Sequence, residues 1–256
     1  MKGGGGTLSN KGIVITRPAE QSEHLATLVR EHGGNPILFP ALEILPLENR
    51  EPLLQIFSRL AQFDFAIFIS SNSVNHSLAH LPGGWPENVQ TAAIGAGTLH
   101  ALEAFGISKV IVPKDSADSE ALLQALEQVS GKRVVIFRGQ GGRELLKETL
   151  IARGAVVEYA ECYRRAIPKL DPAPLIELWS RSRLHAVTVN SGEALRNLFE
   201  MLPSEAQSRL RKTPLFTPHP RLAAVARGLG CAQVTTTAPG DEGLIAGLGA
   251  YFGTRI

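Results

Sequence analysis

The chain has 256 residues, 44% hydrophobic and 20% charged, with 26 Lys and Arg against 24 Asp and Glu for a formal charge of +2. That near-balance excludes a dedicated nucleic-acid surface, and no apolar run approaches the roughly 20 residues that cross a bilayer. Two cysteines, Cys162 and Cys231, lack ligand-like spacing, which argues against a disulfide framework or zinc site and for a reducing, cytoplasmic setting. The leader Met1–Asn10 lacks the apolar segment of a signal peptide, and its glycine-rich tract is expected to be mobile.

Gly12–Thr16 is a short β-branched run, the pattern of a strand buried on both faces of a parallel sheet. Ala19–His32 carries an apolar stripe of Leu25, Leu28 and Val29 and ends at Gly33-Gly34, which predicts an amphipathic helix with a glycine cap. Strands follow at Pro36–Phe39, Phe65–Ile69, Gln90–Ile94 and Lys109–Val112. Helices are expected at Leu53–Leu60, Asn72–Leu81, Thr98–Phe105 and Ser119–Val129, with Gly83-Gly84-Trp85-Pro86 as loop. From Lys132 the order repeats. Arg17 and Arg138, Gly33 and Gly154, and Ser70 and Ser191 each stand 121 positions apart; after one inserted residue, Gly106 and Gly228 stand 122 apart. The pattern predicts an α/β fold: two similar doubly wound parallel-sheet domains from an internal duplication.

Phe39–Pro46 and Ala160–Pro168 are equivalent across the repeat, extended and bounded by proline, so linkers are placed near 38–45 and 160–168. One domain then holds residues 41–164 and the other 1–40 plus 165–256. A two-stranded linker between them permits hinge motion, and two facing halves make a cleft suited to a small ligand.

Ligands bind outside the carboxyl ends of parallel strands, and there this chain places Thr16-Arg17-Pro18, Ser70-Ser71-Asn72-Ser73, Gly95-Ala96-Gly97-Thr98, Phe137-Arg138-Gly139 to Arg143, Asn190-Ser191-Gly192-Glu193 and Thr217-Pro218-His219-Pro220. Hydroxyls, glycines and arginines at helix starts, where backbone N–H groups are free, suit an anion. The plainer reading makes Ser73, Thr98 and Asp241 simple caps and Arg17 and Arg143 surface ion pairs. His76 and His80, one helical turn apart without an acidic partner, read as a solvated face rather than a metal site. The chain has no lysine-bearing phosphate loop and no nucleophile elbow, so covalent catalysis is not expected.

In order, spacing and duplication these motifs, with Tyr163-Arg164-Arg165 and Pro220-Arg221-Leu222-Ala223, resemble the uroporphyrinogen-III synthase family over nearly all of the chain after Asn10. The resemblance implies two α/β domains flanking an active-site cleft and a cofactor-free cyclisation of hydroxymethylbilane, a linear tetrapyrrole with acetate and propionate arms. Loss of its terminal hydroxyl gives an azafulvene cation. The last pyrrole attacks through its substituted carbon, and a spiro intermediate recloses with that ring inverted. Tyr163 matches the family's active-site tyrosine. The resemblance extends substrate contact to Arg17, Ser70, Ser71, Asn72, Thr98, Arg138, Gly139, Arg143, Ser191, Gly192, Pro218 and Arg221. It implies no metal, a monomer, and transient contact with the upstream hydroxymethylbilane synthase. Ile69 and Asn190 stand where threonines are common, and Pro220, the repeat partner of Thr98, has no hydroxyl. Two other classes remain: a non-catalytic sensor of an anionic metabolite, and a nucleotide-dependent enzyme using Gly139–Arg143 as a phosphate loop.

Overall fold

The computed structural model describes residues 6–114 and 118–253, so residues 1–5 of the leader lie outside the described range. The strands are β1 (Gly12–Ile15), β2 (Asn35–Leu38), β3 (Glu43–Pro46), β4 (Phe65–Phe68), β5 (Gln90–Ala93), β6 (Val110–Ile111), β7 (Arg133–Gly139), β8 (Val156–Ala166), β9 (Ala186–Thr188), β10 (Leu215–Thr217) and β11 (Val234–Thr236). The helices that matter below are α1 (Glu23–Glu31), α2 (Glu51–Ser58), α3 (Ser71–Leu78), α4 (Ala96–Ala104), α5 (Ser119–Ala125), α6 (Leu145–Ala152), α7 (Ala173–Ser180), α8 (Gly192–Met201), α9 (Ser204–Lys212), α10 (Pro220–Gly228) and α11 (Gly240–Gly253). Two compact units divide the chain, Met1–Glu43 with Ala166–Ile256 as unit 1 and Ile44–Arg165 as unit 2. Both boundaries fall inside strands, β3 and β8. No helix among the described residues is long and apolar enough to cross a membrane.

In unit 1 the strand order is β11-β10-β9-β1-β2, with parallel pairing throughout. The other sheet runs β3-β8-β7-β4-β5-β6. Apart from β3, the repeat equivalents take the same places in both. Side chains alternate across β4 and β7 of unit 2. Ala66, Phe68, Val135 and Phe137 join Leu53, Phe57, Val74 and Leu102 from α2, α3 and α4 in one core. Phe65, Ile67, Val134 and Ile136 join Leu122, Leu123, Leu146 and Leu150 from α5 and α6 in a second. Helices thus cover both faces, which is why these strands read as continuous apolar runs.

Two local expectations are corrected, at the fifth helix and at the loop before α9. The expectation for the glycine-rich tract concerns residues mostly outside the described range; past it the segment to Asn10 is docked, with Leu8 fully buried with Leu25 and Val29 and the amides of Leu8 and Asn10 donating to the carbonyls of His32 and Gly33 at 2.9 and 3.2 Å. One apolar side chain and the open carbonyls at the end of α1 suffice to dock it. The fifth helix stops at Ala125 rather than Val129, because burying both Leu126 and Val129 against the sheet requires an extended turn with Gln128 at φ +50°. Where the first half has its Gly-Gly-Trp-Pro loop, the second half forms α9. Pro203 precedes that helix, Glu205 sits in its first turn and Arg209, Arg211 and Lys212 in its last, which suits the helix dipole.

In unit 1 His185 Nδ1 accepts the backbone N–H of Gly12 at 2.9 Å, tying β1 to the loop before β9. Burial, then the charge of Lys11, holds its imidazole below the ordinary 6.5, while a hydrogen bond from the ring to the Arg183 backbone opposes this. A depressed histidine pKa means the folded state resists protonation that the unfolded chain accepts. The stabilisation is therefore complete above about pH 6.5 and is lost as pH falls through the folded value. His24, raised first by its hydrogen bond to Asp241, has the opposite sign. The urea midpoint of the wild type should accordingly fall between pH 7.5 and 5.5 by more than that of His185→Gln; equal falls would remove His185 from the pH response.

Candidate functional site

Strand β8 carries the unusual geometry. Its register against β7 runs regularly to Arg138↔Glu161 and then jumps to Gly139↔Tyr163, a bulge at Cys162. Tyr159 and Tyr163 are four residues apart, so a regular strand would aim them at one face. The bulge sends them to opposite faces instead: Tyr159 packs with the core of α5 and α6, and Tyr163 with that of α2, α3 and α4. Cys162 is buried as well, and burial pushes its thiol up to about 12, which makes it inert.

Tyr163 is 4% exposed, and its ring lies across the end of β7 at Gly139. A Cβ on Gly139 would come within 2.5 Å of the Tyr163 ring, so only glycine permits this approach. The Gln140 amide donates to the Tyr163 carbonyl at 2.8 Å. At the tip, the Tyr163 hydroxyl lies 3.3 Å from Ser70 Oγ. Ser70 is fixed independently. It caps α3, its Oγ accepting the Ser73 amide at 3.0 Å while Ser73 Oγ accepts the Ser70 amide at 3.3 Å, a reciprocal capping box. His76, one turn along α3, packs its ring 5.7 Å from that of Tyr163, so it is a half-buried neighbour of the phenol rather than part of a solvated face.

The turn after β7 is organised from within. Arg138 is 3% exposed, and its guanidinium donates to the carbonyls of Gly139, Gly141 and Arg143 and pairs with Glu144 at 3.1 Å. A phosphate loop converges N–H groups on an anion, whereas here carbonyls converge on a cation, which corrects the phosphate-loop reading. It also assigns Arg138 to holding the turn. Arg143 is exposed and forms no ion pair among the described residues. Ser71 and Asn72 occupy the first turn of α3, half-buried. In α4, Gly95 is the cap and Thr98 lies buried in the first turn, its amide bonded to the Gly95 carbonyl at 3.1 Å, so Thr98 is not the capping residue. Ala96 and Gly97 beside it are exposed. A separate pocket of about 350 Å³ lies between the Leu47–Pro52 turn and Gln140, Glu161 and Arg164.

Unit 1 has its own strand-end turns. Arg17 pairs with Asp241 at 2.6 Å, with 17% and 10% of the two side chains exposed, and His24 Nδ1 meets the other carboxylate oxygen at 2.8 Å. Asp241 is thus an ion-pair partner rather than only a cap. Ser191 caps α8, its Oγ accepting the Ala194 amide at 3.0 Å, and Gly192 follows as the first helical residue. Pro218 precedes His219, whose Nδ1 accepts the Arg221 amide at 3.1 Å to cap α10; the Arg221 side chain is exposed. Thr217 Oγ1 and Asn190 Oδ1 are buried there without a hydrogen-bond partner among the described residues.

Sequence reasoning missed Tyr159. Its hydroxyl donates to Glu144 at 2.8 Å, and burial followed by that bond pushes its phenol up to about 12, so it stays a donor. His76 and Asp241 were seen but given other roles, since neither contact is local in sequence.

The fold is similar to that of a mutant uroporphyrinogen III synthase from Thermus thermophilus, with a TM-score of 0.66 at 19% identity over 96% of this chain and 100% of that one. The Helicobacter pylori uroporphyrinogen-III synthetase gives 0.57 at 16% identity over 92% and 97%. In sequence, the uroporphyrinogen-III synthase of Escherichia coli is 33% identical over 236 residues, covering 90% of this chain and 96% of that enzyme. The Salmonella typhimurium enzyme is 34% identical over the same length and coverage. The family described as uroporphyrinogen-III synthase HemD matches residues 23–246. A match spanning both units, with relatives aligned nearly end to end, makes this chain a member of the uroporphyrinogen-III synthase family.

Proposed function

We propose that the chain closes hydroxymethylbilane to uroporphyrinogen III with inversion of the last ring, releasing water, and that Tyr163 assists departure of the terminal hydroxyl. The observation that carries the role of Tyr163 is its buried phenol, bent onto the β4 and β7 strand ends by the bulge and held against Ser70. A leaving hydroxyl departs as water only if a proton reaches it. The Tyr163 O–H supplies or orients that proton, and the pyrrole nitrogen's electron pair pushes the C–O bond open to leave the cation. The last pyrrole's substituted carbon attacks that cation to give a spiro centre, its bond to the original methylene breaks to leave a new cation on the third pyrrole, and that methylene bonds the last ring's other α carbon, which loses its proton.

The carboxylate arms require donors. In unit 2 they come from the first turns of α3 and α4 at Ser71, Asn72 and Thr98 and from Arg143; in unit 1 from Arg17, Ser191, Gly192 and Arg221, while Pro218, which has no N–H, makes only a van der Waals contact at the turn. Arg17 contributes through a guanidinium already oriented by Asp241. Fixed donors stabilise charge without reorganising, and holding a flexible chain in one reactive conformation lowers the entropic barrier. The reading includes cytoplasmic action as a monomer, with substrate taken from the upstream hydroxymethylbilane synthase.

The test incubates the protein with freshly made hydroxymethylbilane and separates the isomers by chromatography. Isomer III should dominate, and isomer I alone would reject the reaction. Tyr163→Phe should lower kcat by roughly 100-fold, the lower end for a positioned proton donor, with product affinity preserved; unchanged kcat would remove the phenol from the mechanism.

A further inference from the structure

We infer that Tyr159 is a positioning residue that locks the Gly139–Arg143 turn in its substrate-binding shape, acting through Arg138 and Glu144. Two cations lie over its ring, the Arg138 guanidinium and the Lys147 ammonium, each 4.4 Å from the centroid. The Tyr159 hydroxyl donates to one Glu144 oxygen at 2.8 Å while Arg138 takes the other at 3.1 Å. Arg138 in turn donates to three carbonyls of the turn. Gly141 and Gly142 have φ of +68° and +106°, a backbone that resists order by itself, and a Cβ on Gly142 would press to 2.6 Å from Arg138 Nη2. The turn is therefore shaped around the guanidinium, and the guanidinium is held by Tyr159.

The lock bears on substrate because the same turn touches Tyr163 directly, through Gly139 at its ring and the Gln140 amide at its carbonyl. It also presents Arg143 to solvent. A nearly buried arginine needs its full set of partners; removing the aromatic face that covers it opens the guanidinium to water and weakens its hold on the turn. The turn would then sample many shapes, of which few bind the tetrapyrrole.

This inference rests on the proposed reaction for its kinetic arm and is independent of it for the other. Tyr159→Leu and Tyr159→Phe are compared with wild type in two measurements. The first is limited trypsin digestion with mass spectrometry of cleavage after Arg143. The second is kcat and KM for formation of isomer III. Tyr159→Leu should be cut at Arg143 about tenfold faster and show KM about tenfold higher with kcat changed far less, as expected when the productive shape becomes a minor population. Tyr159→Phe, which keeps the ring over both cations, should restore most of each. Unchanged cleavage at Arg143 overturns the lock; faster cleavage with unchanged KM overturns its role in substrate binding. Wild-type protein that forms no isomer III sinks the reaction and with it the substrate role, while the digestion still decides the lock.

Discussion

Gly139→Val should all but abolish turnover and destabilise the fold. A Cβ at this position would meet Tyr163 Cε2 at 2.5 Å and Cζ at 2.7 Å, so the ring must leave its place across β7. Overpacking of this kind costs about 1–3 kcal/mol. Displacing a reacting group by an ångström costs on the order of 100-fold in rate, and here the displaced group is the proposed proton donor. Gly139→Ala gives the cleaner measurement. Its urea midpoint should drop, and the drop should vanish when Tyr163 is also changed to Ala, because the clash then has no second party. Activity should not return in the double variant. If Gly139→Ala remains as stable and active as wild type, the close approach is not what keeps glycine there.

Phe137→Ala should produce the largest stability loss of any single change in unit 2. Phe137 is fully buried and stacks on Phe68 with centroids 4.5 Å apart and planes at 8°; Phe57 lies 6.0 Å away and Trp85 6.4 Å. Truncating such a residue costs about 3–5 kcal/mol, part transfer and part cavity, and the aromatic pair adds about 1 kcal/mol beyond area. Phe137→Leu, which refills most of the volume, should cost less than half as much. Denaturant unfolding of both variants checks this. A loss below about 1 kcal/mol for Phe137→Ala would mean the site collapses around the gap, contrary to a ring packed on three sides. Because Phe137 immediately precedes Arg138 and Gly139, the same variant should loosen the turn that those residues organise.

The central strands of both sheets are legible in the sequence because burial on two faces writes itself as unbroken apolar runs such as Phe65–Phe68 and Val134–Phe137, whereas β3 and the end of β8, half-exposed, read as linker. The shared strand order of the two units is equally legible, as a 121-residue register. What escapes is whatever depends on partners distant in sequence. Arg17 meets Asp241 across most of the chain, and nothing near either residue announces the pair. Leu8 is one apolar residue in a glycine-rich stretch, too little for a periodic signal, yet it completes the core beside α1. The bulge at Cys162 is silent for a different reason. Sequence spacing assumes a period of two along a strand, and a single extra residue inverts it, so Tyr159 and Tyr163 part to opposite faces where their spacing suggests a shared one. Arg138 looks like a substrate cation because charge is visible in sequence and burial is not.

The strand order of unit 1 carries a consequence for biosynthesis. β1 sits between β2 and β9, so a strand made early occupies the middle of a sheet whose other half, β9 to β11, is made only after the whole of unit 2. Unit 2, contiguous from Ile44 to Arg165, can close while translation continues, whereas Ile13, Val14 and Ile15, with only β2 beside them, wait some 170 residues for β9 on their other edge. Nascent chains stalled before β9 should therefore hold one finished globule and one sticky, chaperone-dependent arm.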